Sequence, residues 1–130
     1  MKLLFTPGQS FEIVHTVGPN DTATFPTGEV HPVYATFAVA REAEWVCRQF
    51  VLAMREANEE GIGTFVEVQH RSPALPGQEV RFTGILESVQ GNEVICRFEA
   101  HVGTRLVADG RTGQKILKKE RISKLFAEVG

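Results

Sequence analysis

Two residues of this chain pair acid–base chemistry with an apolar setting. Glu44 lies mid-segment in Ala43-Glu44-Trp45-Val46-Cys47, beside what reads as a buried stripe. A carboxylate there is costly unless it is partnered. Two readings follow. It reaches solvent at the boundary or pairs with Arg41 or Arg48; or it is a desolvated base or nucleophile. His70 shares a strand face with Val66 and Val68. It is either a satisfied core or edge histidine, or the group that trades a proton near neutral pH. Thr36, ahead of the helical pattern, can cap it or touch a substrate. Gly63 in Gly61-Ile62-Gly63-Thr64 is a plain turn glycine, or one whose amide polarises a carbonyl oxygen. Thr36 and Glu44 are eight residues apart, about 12 Å along a helix, so they make no direct contact.

The elements that must hold these residues are readable from periodicity. Phe11–Val17 reads as a strand, ended by Gly18-Pro19-Asn20-Asp21. Residues 18–33 carry Pro19, Pro26 and Pro32 with Gly18 and Gly28, and read as a long loop. From about Ala38 to Asn58 apolar residues recur every three or four, so a helix is expected. Trp45, Val46 and Leu52 widen its apolar surface until it is largely covered. Its end is expected at Asn58–Gly63, with Gly61 as a left-handed cap. Strands follow over about 64–70, 80–87 and 94–102, with a tight hairpin at Gln90-Gly91-Asn92-Glu93. A last strand spans about 105–118, with a bulge or turn at Asp109–Gly113, and then either a frayed tail or a basic rim. One helix cannot cover both faces of such a sheet. Either the remaining apolar face is buried or the sheet curls around the helix; a curled sheet satisfies this, in an α+β domain whose exposed edge invites a second copy.

The 130 residues fit one domain, and 42% apolar against 23% charged residues can bury a core. A net charge of -2 gives no bulk attraction to nucleic acid or anionic membrane, and no apolar run is long enough to span a bilayer. The short apolar start before Thr6-Pro7 does not read as a signal peptide. Cys47 and Cys96 are expected as buried free thiols, which suits a reducing cytoplasm. No histidine pair has metal-ligand spacing, so no metal is expected. Seven of the fourteen basic residues fall between Arg105 and Lys124, either a solvated strand and tail or a rim for an anionic ligand.

Val33-Tyr34-Ala35-Thr36-Phe37-Ala38-Val39, Glu44-Trp45-Val46-Cys47, Gly63-Thr64, Val68-Gln69-His70 and Pro76-Gly77 together resemble the fluoroacetyl-CoA thioesterase-like family of the hotdog-fold thioesterase superfamily. The resemblance runs from about residue 8 to 126. It implies a hotdog fold, a curved antiparallel sheet around one long helix, with sites formed between two subunits. It implies a Thr36, Glu44, His70 triad, with Gly63 holding the thioester by its amide. Val30 and Tyr34 fall in the segment ahead of Thr36, Val30 on or near the lid phenylalanine of the fluoroacetyl-specific enzyme. Gln114, with Lys115 beside it, occupies the place of a family arginine. With Val30 at that lid position, fluoroacetyl selectivity is not assigned.

The expected activity is hydrolysis of a small acyl-CoA thioester, with no separate cofactor, since coenzyme A is part of the substrate. Arg105, Lys115, Lys118 and Lys119 are candidate phosphate contacts. The expected assembly is a homodimer through sheet edge and helix, with a tetramer left open. The alternatives are a non-catalytic acyl-CoA binder, and a hydratase or dehydratase, which would pair Asp with His. No Asp lies between Asp21 and Asp109, which counts against the last.

Overall fold

The computed structural model describes residues 1–130. Strand β1 (Ser10–Thr16) leads through a 3-10 turn (Pro19–Asp21) into a hairpin of β2 (Thr22–Phe25) and β3 (Gly28–Tyr34). Helix α1 (Thr36–Met54) follows, then β4 (Glu59–His70), β5 (Glu79–Gln90), β6 (Glu93–Val102), β7 (Arg105–Lys118) and helix α2 (Lys119–Val129). The main sheet is antiparallel in the order β1-β5-β6-β7-β4, with β2 and β3 forming a separate pair.

The core lies between α1 and one face of the sheet. Ala38, Val39, Ala43, Val46, Cys47, Phe50, Val51 and Met54 repeat at helical spacing and are all buried. They meet Phe82, Leu86, Val94, Cys96, Phe98 and Val107 from alternate strand positions. Gly84 lets the helix approach closely, since a methyl group there would lie 3.2 Å from Val46 Cγ1. The sheet bends where single extra residues break the ladder. These are Thr64 in β4, Glu87 in β5 and Val107 in β7, and such bulges bend a strand and sharpen its twist. A curved antiparallel sheet around one long helix is the hotdog architecture, as expected.

Five expectations are corrected. Residues 18–33 are not a loop but a turn and a hairpin. The helix stops at Met54 rather than Asn58, because Glu59 already pairs with Lys118 across β4 and β7. Gly61 is not a helix cap; it lies inside β4, where a methyl group would come 2.5 Å from Val51 Cγ1. Asp109–Gly113 is continuous strand: a side chain at Gly113 would overlap the Phe65 ring, and one at Gly110 the β4 backbone and Phe98. The residues after Lys118 form α2 rather than a frayed tail. Cys47 and Cys96 are buried and unbridged, as expected.

Candidate functional site

Helix α1 has two faces, and the outer one carries the candidate chemistry. Phe37, Arg41, Glu44, Trp45 and Arg48 recur along it. Phe37 is 50% and Trp45 47% exposed. That corrects the expectation of a largely covered helix, and leaves two aromatics facing solvent on a single chain.

At the start of α1 lies one hollow, of about 350 Å³, lined among others by His31, Val33, Tyr34, Thr36, His70 and Ser72. Thr36 is the first helical residue, and Ala35 rather than Thr36 takes the capping position. The Thr36 hydroxyl is therefore free to meet another group, and it lies 3.0 Å from His70 Nδ1. His70 Nε2 is buried and has no partner. Desolvation holds the His70 imidazole below its ordinary value of 6.5, a backbone contact with Ser72 pulling the other way; the ring is thus neutral at pH 7. Tyr34 is buried, its hydroxyl lacks a partner, and burial together with Glu42 and Asp21 raises its ionisation well above the usual range. Its ring stacks on His15 with centroids 5.8 Å apart.

A second hollow, of about 500 Å³, opens further along the helix. Its lining includes Arg41, Glu44, Trp45, Arg48, Gly63 and Gln114. Glu44 is exposed there, so the expectation of a carboxylate desolvated by its own chain is not met. The structure gives the other reading, a carboxylate that reaches solvent, and without the arginine pairing, since Arg41 and Arg48 both bind other carboxylates. A methyl group on Gly63 would lie 3.7 Å from Glu44 Oε2, which puts the glycine and the carboxylate side by side. Gly63 precedes the Thr64 bulge, where the β4–β7 ladder is interrupted. Gln114 is only 6% exposed, and its Nε2 is buried without a partner.

One chain thus brings Thr36 to His70 and Glu44 to Gly63 and Gln114, in two hollows that share no lining residue. Lys115 does not join Gln114. It is exposed on the other side of β7, beside Lys118, Arg121 and Glu59. Val30 is 55% exposed on β3 and lines neither hollow. Arg105 is engaged by Ser72 Oγ and the Pro73 carbonyl, each at 2.6 Å. No group of three or more acidic, histidine or cysteine side chains is arranged to hold a metal ion, and no helix is long and apolar enough to cross a membrane.

Reading the sequence missed the charged cluster behind Thr36. The Asp21 carboxylate accepts from His15 Nε2 at 2.8 Å, Gly18 N at 2.8 Å and Arg41 Nη2 at 3.2 Å. Its backbone carbonyl accepts from Ala35 N, next to Thr36. Burial raises the Asp21 carboxyl, but the Gly18 amide, His15 and Arg41 together bring it below its ordinary 3.8. The nearest signal in the sequence was the turn Gly18-Pro19-Asn20-Asp21, which marks a bend and not a cluster.

Comparisons with known proteins identify the family and the fold. The model of the fluoroacetyl-CoA-specific thioesterase (FlK) family matches residues 17–120. The fluoroacetyl-CoA thioesterase of Streptantibioticus cattleyicolor is 28% identical over 95 residues, 73% of this chain and 68% of that protein. A crystal structure of a Thermus thermophilus thioesterase superfamily member superposes with a TM-score of 0.92 at 38% identity, over 95% of this chain and 92% of that one. A variant of the fluoroacetyl-CoA-specific thioesterase, solved with fluoroacetate and CoA, superposes with a TM-score of 0.82 at 27% identity, over 91% of this chain and 99% of that one.

Proposed function

The chain belongs to the fluoroacetyl-CoA-specific thioesterase family and is a thioester hydrolase; we propose that it cleaves a small acyl-CoA ester at sites built from two copies of itself. The observation that carries this reading is the division of the site. Thr36 and His70 meet in one hollow, while Glu44 and Gly63 meet in another. The roughly 12 Å of helix between Thr36 and Glu44 is too long for one reacting carbonyl to touch both. A second copy, related by a two-fold axis, brings the first hollow of one chain against the second hollow of its partner. The β4 edge and the exposed Phe37 and Trp45 supply a surface for such pairing. Closure would also take the Glu44 carboxylate out of bulk water.

In the assembled site Glu44 deprotonates the water that attacks the acyl carbon, or attacks that carbon itself to give an acyl-Glu44 anhydride that water then hydrolyses. The new C–O bond forms as the C–S bond breaks. The proton that the water loses passes through the His70 imidazole, held beside Thr36 Oγ1, to the leaving thiolate. The Gly63 amide and the unpartnered Gln114 Nε2 supply hydrogen-bond donors for the carbonyl oxygen. The solved relative that holds fluoroacetate and CoA supports a CoA ester as substrate. Val30 stands exposed on or near the family's lid position, so the acyl group is left as small rather than fluorinated.

Hydrolysis measured across short and medium acyl-CoA esters tests the reading, with Glu44→Gln and His70→Ala as controls. Turnover that both substitutions abolish is the expected result. Tight binding of CoA esters with no turnover by the unaltered protein would refute it. An acyl group trapped on Glu44 in single-turnover mass spectrometry distinguishes attack from water activation.

A further inference from the structure

Glu44 has an arginine one helical turn away on each side, Arg41 three residues before it and Arg48 four residues after. Glutamate and arginine at such spacing ordinarily pair on a helix surface, best with the glutamate N-terminal. Here neither arginine does. Arg41 Nε donates to Glu42 Oε1 at 3.0 Å, and its Nη2 to Asp21 Oδ1 at 3.2 Å. Arg48 Nη2 reaches off the helix and donates to Glu60 Oε2 on β4 at 2.9 Å. Glu60 is itself fixed: Gly61 N donates to its Oε2 at 2.8 Å, and Arg55 takes its Oε1. The Gly61 amide foremost, then Arg48 and Arg55, pull the Glu60 carboxyl down to about 2. Gly61 also keeps the path open, since a methyl group there would lie 3.3 Å from Arg48 Nη1.

We propose that Glu60 is a positioning residue for hydrolysis: by holding Arg48 against β4, it leaves the Glu44 carboxylate unpaired and able to react. This rests on Glu44 being the reacting carboxylate. An arginine on that carboxylate would stabilise its charged form, making it a weaker base and nucleophile. Glu42 and Asp21 do for Arg41 what Glu60 does for Arg48. Within one chain, charged groups reach the Glu44 hollow only from α1, as Arg41, Glu42 and Arg48; β4 presents Gly63 there and β7 the uncharged Gln114, and in the assembled site the hollow that holds His31, His70 and Arg71 faces it from the second copy. Loss of Glu60 would therefore free one specific cation within reach of Glu44.

The test follows the Glu44 carboxyl by carbon-detected NMR titration alongside steady-state kinetics. In Glu60→Gln the Glu44 midpoint falls by about 0.3 unit and kcat by up to about twofold, and both changes shrink at high salt. Adding Arg48→Gln to that variant returns the Glu44 midpoint toward that of the unaltered protein. A midpoint that stays put in Glu60→Gln, or one that falls but is not restored by the second substitution, overturns the proposal. Arg48→Gln alone keeps Glu60 on Arg55 and is expected to leave the Glu44 midpoint in place. A rise there would mean that Arg48 already serves Glu44, and this arm stands even if Glu60→Gln fails to fold. Full turnover in Glu44→Gln would sink the catalytic reading instead, while the titration still reports on the clamp.

Discussion

Two inactive variants should make an active enzyme when mixed. If Thr36 and His70 of one chain face Glu44 and Gly63 of its partner, a dimer of one Glu44→Gln chain and one His70→Ala chain contains one intact site and one doubly damaged site. Random pairing of equal amounts makes half of the dimers mixed, each with one working site of two. The recovered activity is therefore about a quarter of the unaltered enzyme. The figure follows from the roughly 12 Å that separates Thr36 from Glu44 along α1 and from the 3.0 Å contact that ties Thr36 to His70 within one chain. The assay is co-refolding of separately tagged variants, selection of dimers carrying both tags, and measurement of acyl-CoA hydrolysis. In the doubly selected pool recovery rises to about half. Recovery no greater than the summed background of the parents would mean that each site is complete within one chain, and would refute the shared-site argument.

Other consequences are reachable by simpler measurements. Gly113→Ala forces a methyl group into the Phe65 ring; it should cost about 2 kcal/mol and lower Tm by roughly 8 °C, whereas an unchanged Tm would mean the ring moves freely. Gly63→Ala meets only Glu44 Oε2 at 3.7 Å, so stability should hold within about 0.5 kcal/mol while hydrolysis falls. Tyr34→Phe removes a buried hydroxyl with no partner and should raise stability in urea by up to about 1 kcal/mol; a loss of that size would reveal a partner. Asp21→Asn removes the carboxylate that holds His15 and Arg41. Because the Asp21 carboxyl lies below 3.8 in the folded chain, its contribution is present above that pH and is lost as pH falls through the folded value. The variant should be less stable near neutrality, and its decline below pH 3.8 should be shallower.

What the sequence disclosed depended on how local the determining contacts were. The apolar repeat from Ala38 to Met54 reports burial at 3.6-residue spacing, and the buried stripe of α1 matches it. The Gln90–Glu93 turn is equally local, with Gly91 at a φ of 62° joining β5 to β6. Gly110 and Gly113 misled because a glycine pair reads as a turn, whereas here Phe98 and Phe65 on neighbouring strands require the space. The helix end misled for a related reason. Asn58–Gly61 has the composition of a cap, yet pairing with β7 claims Glu59, Glu60 and Gly61. At the site, Thr36, Glu44, His70 and Gly63 were singled out, but the ion pair between Arg48 and Glu60 was not, because it joins residues of two elements whose approach only the fold determines.

Those two scales meet on α1. Its inner stripe is apolar and fixes the helix against the sheet, so the outer stripe is held in place without taking part in the core. That outer stripe can then carry a pairing surface, Phe37 and Trp45, and a reacting group, Glu44, at little cost to folding of the single chain. The cost arises elsewhere. Two arginines beside a carboxylate would ordinarily neutralise it, and the chain assigns Asp21 and Glu42 to one and Glu60 to the other. A carboxylate left free on an exposed helix is hydrated and unremarkable until a second copy closes over it. In the proposed dimer water is then excluded and the partner's His70 arrives in the same event. On this account dimerisation does more than add the missing residues: it converts an ordinary surface glutamate into a reactive one. Monomers forced by Trp45→Arg, which places charge in the pairing surface and leaves the core untouched, should therefore fold normally yet hydrolyse no thioester, and a turning-over monomer would contradict the account.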